Sequence, residues 1–225
     1  MDSHLNTPLR YIEGNNRKAG NRIGSLLFEI LNTETKTFHE IVFLCIGSDR
    51  ITGDSLGPII GHRLSREHLN KCNIYGTLSQ PVHALNLHET LQTIKEEHPD
   101  CLIIAIDASL GSKKHQGFVT VSNGPLIPGL GVKKKLPPVG DISITGIVNL
   151  SGAFEHFALQ TTRLSTVIQL ADAIVSGILI AHHQYFGTRR LLSFALFHPE
   201  EERLRSFAKF TSLSAVSSEI RPKGK

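Results

Sequence analysis

Cysteine is scarce: Cys45, Cys72 and Cys101 are the only three, and no pair has the C-x-x-C spacing. An odd, dispersed set excludes a disulfide scaffold and a Cys-rich zinc module, and it fits a reducing compartment. The 19 glycines follow no G-X-Y period and no heptad run is sustained, so collagen-like and coiled-coil architectures are excluded. No internal repeat of solenoid or propeller length is evident. The start, MDSHLNTPLRYIEGNNRKAGNR, lacks the apolar centre of a signal peptide. The most apolar window, 164–186, is interrupted by Gln169, Asp172, His182 and His183, so no membrane partner is expected. Charge of one sign is missing from the body as well. Residues 188–225 carry eight Lys and Arg against four Glu, and that excess equals the +4 of the whole chain. A neutral body with a basic tail gives no reason to expect nucleic acid on the folded part. A cytoplasmic protein is expected.

What is present is a chain of 225 residues, 40% hydrophobic and 20% charged, enough for one domain with a real core and too apolar for general disorder. Residues 1–20 read as a flexible leader, 21–187 as a single α/β domain, and 188–225 as a basic tail, helical or disordered. Ile23, Leu26, Leu27, Ile30 and Leu31 recur at helical spacing. The runs IVFLCI (41–46) and CLIIAI (101–106) are continuous and apolar, as buried parallel strands are. Helices are expected from Ser55, from Asn86 to His98, over 150–160 and over 165–186. Further strands are expected at 73–78, 118–122 and 142–148, with a Gly/Pro-rich loop over 123–139. This β/α alternation predicts a three-layer α/β/α sandwich with a mostly parallel, twisted sheet.

Ligands of such sheets bind outside the carboxyl ends of the strands. Two strand ends carry acids: GSDRITGDSLG (47–57), with Asp54, and IDASLG (106–111), with Asp107. Neighbouring carboxylates can split acid and base roles, or hold a metal together with a His. The first loop is not a phosphate-binding loop, because Asp54 stands where such a loop needs Lys. Asp54 has an alternative role as a helix N-cap. Asp107, ending an apolar strand ahead of small residues, is the stronger functional candidate. His83 follows a predicted strand and reaches toward the same rim, although a surface or capping role is the simpler one. Asp141 sits at a loop-to-strand junction, where a turn residue needs no further function. Lys133, Lys134 and Lys135 form a basic run in the Gly/Pro loop. The three cysteines are expected to be packed thiols.

Four separated blocks, FLCIGSDRITGDSLGPIIG (43–61), GTLSQPVHALNL (76–87), IIAIDASLG (103–111) and GPLIPGLGVKKKLPPVGDISITGIVN (124–149), resemble the YyaC-type sporulation proteins. More distantly, the chain is similar to the germination protease of spores, whose fold is related to the hydrogenase maturation endopeptidases. Gly47-Ser48, Ile51-Thr52-Gly53-Asp54 and Leu56-Gly57-Pro58 match one block of that protease, with Ser48 in place of Asn and Gly53 in place of Pro. Ile104-Ala105-Ile106-Asp107-Ala108 match a second block. The resemblance implies that Asp54 and Asp107 are a catalytic pair hydrolysing peptide bonds of small acid-soluble spore proteins in the forespore or spore core. Thr52, Ser55 and Ser109 are then candidate hydrogen-bonding supports, beside Ser48, Gly53, His83 and Asp141. No cofactor is expected and no metal ligand set is assigned, with a divalent ion left open. The partner is a protein or peptide substrate, and an oligomer is possible. The chain lacks the germination protease's inserted segments, which favours an alternative: a non-catalytic sporulation protein that binds a peptide, metal or partner on the same scaffold. A small-molecule hydrolase or phosphorylase, with the 123–140 loop over its ligand, is the third reading.

Overall fold

The computed structural model describes residues 10–128 and 136–197, with side chains up to Gly187. In chain order the elements are β1 (Arg10–Glu13), α1 (Ala19–Thr33), β2 (Glu40–Cys45), α2 (Leu56–Leu64), β3 (Cys72–Tyr75) and α3 (Leu87–Glu97). They continue with β4 (Cys101–Gly111), β5 (Phe118–Asn123), β6 (Ile142–Leu150), α4 (Glu155–Gln160) and α5 (Leu164–Phe197). The strands form one six-stranded sheet in the order β1-β5-β6-β4-β2-β3. β6, β4, β2 and β3 run parallel to one another, and β5 and β1 add an antiparallel edge beside β6. The expected mostly parallel α/β fold is the observed one.

The apolar runs become the central strands because both faces of the sheet are covered there. On one face Val42, Leu44, Ile46 and Ala105 pack with Leu87 and Ile94 of α3. The alternate residues of the same strands, Ile41, Phe43 and Cys45, are equally buried on the other face. There α2 and α5 meet the sheet: a Cβ on Gly146 of β6 would press into Leu56 and approach Leu170. Arg63 of α2 forms an ion pair with Asp172 of α5. α1 lies against α5 at very short range, with Gly20 facing Ser176, Gly24 facing Ile180 and Gly177 facing Ile23. Each fully buried Leu or Ile here contributes about 1.5–3 kcal/mol by leaving water.

Within α5, the stretch Leu164–Gly187 is long and apolar enough to cross a membrane by length and composition. Half of its most apolar window is buried inside the protein, as in the core helix of an α/β domain. Its inward residues, Val167, Leu170, Ala171, Ile174 and Ile178, follow the helical period. The chain divides at His182: the sheet belongs to the first unit, and from His183 a second unit begins with the last part of α5.

Three expectations change. The leader over 1–20 contains β1 and the first residues of α1. A four-residue strand with Ile12 as its single buried residue has no readable period, and it exists because it pairs with β5. β4 does not end at Asp107 but runs to Gly111, since β6 continues beside it after β2 has stopped. The tail's first residues extend α5, while 198–225 lie outside the described residues, as do Lys133, Lys134 and Lys135.

Candidate active site

The chain leaves β2 for α2 and β3 on one side, and leaves β4 for β5 and β6 on the other. Oppositely directed connections open a crevice between the carboxyl ends of β2 and β4, the usual ligand position in open α/β sheets. The β2–β4 ladder ends at Cys45 opposite Ile106, so Asp107 is the first residue of β4 without a β2 neighbour. A cleft of about 320 Å³ occupies this crevice.

Its polar wall holds Ser48, Asp49, Arg50, Asp54, His83, Asp107 and His156. Its apolar wall includes Ile46, Leu85, Leu136 and Leu159. Three connections converge to build it. The β2–α2 loop brings Ser48 and Asp54. Gly47 turns that loop with a φ of 142°, and any Cβ there would collide with the carbonyl oxygen of Asp54. The loop is closed by the Ser48 N–H donating to the Asp54 carbonyl over 3.1 Å.

The β3–α3 connection brings His83. Val82 pairs with Ile46 as an extra parallel bridge, and its carbonyl accepts the Gly47 N–H at 2.8 Å. Asn86 precedes α3 as expected, but its side chain caps no helix N–H. Its Oδ1 accepts the His83 N–H at 2.8 Å and its Nδ2 donates to the Pro81 carbonyl at 3.0 Å. The residue that starts the helix thereby fixes the turn that presents His83. The β6–α4 connection brings His156 and Leu159. It approaches closely because residue 53 is glycine: a Cβ there would press on the Leu159 carbonyl and the Thr162 hydroxyl.

Burial raises the Asp54 carboxyl above its ordinary pKa, while the Ser48 backbone N–H and positive charge on His83 and His156 pull it the other way. Asp54 does not cap α2; Ser55 holds that position, and its hydroxyl donates to the Thr52 carbonyl at 2.7 Å. Asp107 is 6% exposed and accepts the Ala108 N–H at 2.7 Å. His83 Nδ1 is buried with no hydrogen-bond partner among the described residues. Buried polar atoms are nearly always satisfied, so an orphaned ring nitrogen in a cleft wall marks a place built for something other than packing. Among the described residues, no three His, Cys, Asp or Glu side chains cluster as a metal site would require.

The structure thus brings together Asp54, Asp107, Ser48 and His83 of the sequence candidates. Thr52, Gly53 and Ser55 shape the loop beneath without lining the cleft. Ser109 lines a separate hydroxyl-rich groove with Thr120, Ser143 and Thr145. Asp141 is at the opposite end of the sheet: its Oδ2 accepts the Ile103 N–H and the Lys36 ammonium, each at 2.8 Å. It pins the start of β6 to β4, and its charge is already matched there. The cysteines are packed thiols. Cys45 and Cys101 are buried, and burial pushes the Cys72 thiol up to about 12.

Sequence reasoning missed His156, which follows no motif. The signal lay in the topology: β6 is parallel to β4, so the segment after it opens on the same rim.

The model of a family described as "Protein of unknown function (DUF1256)" matches residues 11–177. The chain belongs to the DUF1256 family. The matched region contains the whole cleft, from Ile46 to Leu159. "Uncharacterized protein YyaC" of Bacillus subtilis (strain 168) is 46% identical over 151 residues, covering 67% of this chain and 74% of the relative. DUF1256 membership and this likeness place the chain with the YyaC-type proteins; neither carries an activity.

Proposed function

We propose that the protein is a peptidase of spore proteins, using Asp54 and Asp107 as an acid and base pair. The observation that carries the reading is the meeting of both carboxylates in one partly apolar cleft at the switch point of the sheet, beside the unsatisfied ring nitrogen of His83. The raised pKa of Asp54 suits it to hold a proton as the acid. Asp107, held by the Ala108 N–H, is the base. Asp107 takes a proton from water as the water oxygen bonds to the peptide carbonyl carbon. The C–N bond then breaks while Asp54 gives its proton to the departing amine nitrogen. His83 donates to, or accepts from, the groups that cross the cleft. The substrate class is small acid-soluble spore proteins and the setting the forespore or spore core, on the strength of the resemblance of the four sequence blocks.

The test is incubation of the purified protein with small acid-soluble spore proteins, free and DNA-bound. Asp54→Asn and Asp107→Asn run in parallel, each lane with and without EDTA. Defined fragments that vanish in both variants are expected. Fragments that persist in both variants would exclude the aspartate pair, and EDTA-sensitive cleavage would replace the metal-free scheme.

A further inference from the structure

The hydroxyl-rich groove is a cavity of about 440 Å³ on one face of β5 and β6. The alternate residues of those strands, Val119, Val121 and Ile144, are buried on the opposite face. Thr120, Ser122, Ser143 and Thr145 line the groove. A sheet edge with one face in water would account for polar residues there. It does not account for their burial: Thr120 is 4% exposed and Ser143 6%. Thr120 and Thr145 satisfy each other at 2.6 Å. The Ser143 hydroxyl has no hydrogen-bond partner among the described residues, nor have those of Ser109 and Ser122. Buried polar groups are nearly always paired, so unused hydroxyls in the floor of a cavity point to a ligand. The described residues of the lining include no Asp, Glu, Lys or Arg.

The strand register ties this groove to Asp107. Asp107 of β4 stands beside Thr145 of β6, Thr145 beside Thr120 of β5, and Thr120 beside Tyr11 of β1. Asp107 lines the cleft, and the other three members of its row line the groove. Ser109, two residues beyond Asp107 and so on the same face of β4, lines the groove as well. At the far end, on the edge strand, the Tyr11 ring stacks on His115 with centroids 4.1 Å apart.

We infer that the groove holds the polypeptide substrate on one side of the reaction point, with Ser109, Ser122 and Ser143 hydrogen-bonding its backbone as it crosses from β4 to β5. This rests on the peptidase reading of the cleft and narrows its substrate class. Neighbouring strands lie about 4.8 Å apart, so the crossing spans roughly 10 Å, the length of about three extended residues. A hydroxyl can meet either a peptide N–H or a carbonyl, whichever the passing chain presents. With no charged side chain in the lining to offset one, those residues carry small, uncharged side chains. The row that ends at Asp107 selects a polypeptide, since a free sugar would fill the groove without reaching the reacting carboxylate.

The test uses the full chain carrying Asp54→Asn, so that binding is read without turnover. The probes are a fluorescein-labelled peptide with Ser-Gly-Ala on both sides of a central leucine and a twin with Glu-Gly-Lys in those places, equal in net charge. Binding of the first peptide at least about tenfold tighter than the twin is expected. Adding Ser109→Leu and Ser122→Leu, which fill the groove, should erase that preference with the far-ultraviolet dichroism unchanged. Ser143→Ala adds no volume and keeps the test open should the filled groove unfold. It should weaken the first peptide about threefold to tenfold and leave the twin unchanged. Equal binding of the two peptides, a preference that survives the leucine pair, or no binding of either up to about 1 mM overturns the inference. So does maltotriose bound by the wild type and lost in the leucine pair while the peptides are indifferent to it, since a sugar is then the occupant. Undiminished cleavage by a protein with the groove filled would overturn the inference and leave the peptidase reading intact. Groove-dependent peptide binding by a wild-type protein that cleaves nothing would sink the peptidase reading and leave the groove standing.

Discussion

The two ends of the parallel sheet handle polar groups in opposite ways. At the amino end, Glu40, Asn73, Tyr75 and His98 form a closed network. Asn73 donates to Glu40 at 2.6 Å, His98 meets Glu40 at 3.0 Å and Tyr75 donates to Glu97 at 2.7 Å. Nearby, Asp141 is saturated by Ile103 and Lys36. At the carboxyl end, Asp54 is held above its ordinary pKa by burial and His83 Nδ1 has no partner among the described residues. Satisfied polar groups stabilise, whereas unsatisfied ones raise the free energy of the fold and persist where a ligand or a reaction needs them. Polarity at the amino end is therefore structural, and on the peptidase reading proposed above polarity at the carboxyl end is functional, although both ends are rich in acids and histidines.

Substitutions at the two ends should sharpen that contrast. The largest effect is expected at the carboxyl rim. Asp107→Asn should lower the cleavage rate by about a thousandfold or more, a barrier increase of roughly 4 kcal/mol. Its urea midpoint should stay near that of the wild type; a large loss of stability would move Asp107 to the structural class. Next comes Asp141→Ala, which strands the Ile103 N–H and frees Lys36. It should cost about 1–3 kcal/mol in urea unfolding while leaving the specific activity of the folded fraction intact.

Smaller, and opposite in sign, is Asp54→Asn. A carboxyl with a raised folded-state pKa contributes stability below its unfolded pKa, and that contribution is lost as pH rises through the folded value. The variant should thus be more stable than the wild type at neutral pH, with the gain fading as pH falls below the ordinary carboxyl range. Thermal melts across pH read this directly, and a destabilised variant at neutral pH would contradict the assignment. The smallest effect is Arg63→Met, which breaks the partly exposed pair with Asp172 and should cost no more than about 1 kcal/mol, reduced further in high salt.

Much of the fold was legible because the strands that matter are buried on both faces. IVFLCI and CLIIAI announce themselves as unbroken apolar runs, and the inward stripes of α1 and α5 keep the helical period. The antiparallel edge was less so. β1 owes its existence to hydrogen bonds with β5, a long-range pairing that leaves no trace in four residues. The extension of β4 was hidden for a related reason: Asp107 breaks the apolar run, yet β6 still pairs with it. In the site, Asp107 was visible because an acid that ends an apolar strand is out of place, whereas Asp54 was one carboxylate in a loop and was paired with it by the resemblance. His83 was visible only as a candidate, since its position depends on the Ile46–Val82 bridge and on Asn86. His156 was invisible because a short helix after a strand carries no chemistry of its own until Gly53 lets it approach.

The notched contact between α1 and α5 bears on how the protein is made. α5 includes a stretch long and apolar enough to cross a membrane by length and composition, and it leaves the ribosome after α1 and the whole sheet. The surface that must hide it is thus already synthesised when it appears, with Gly20 and Gly24 shaped to receive Ser176 and Ile180. Larger side chains at those glycines would delay that docking and leave the apolar helix uncovered for longer during synthesis, so their harm should be greatest in the yield of folded protein in living cells.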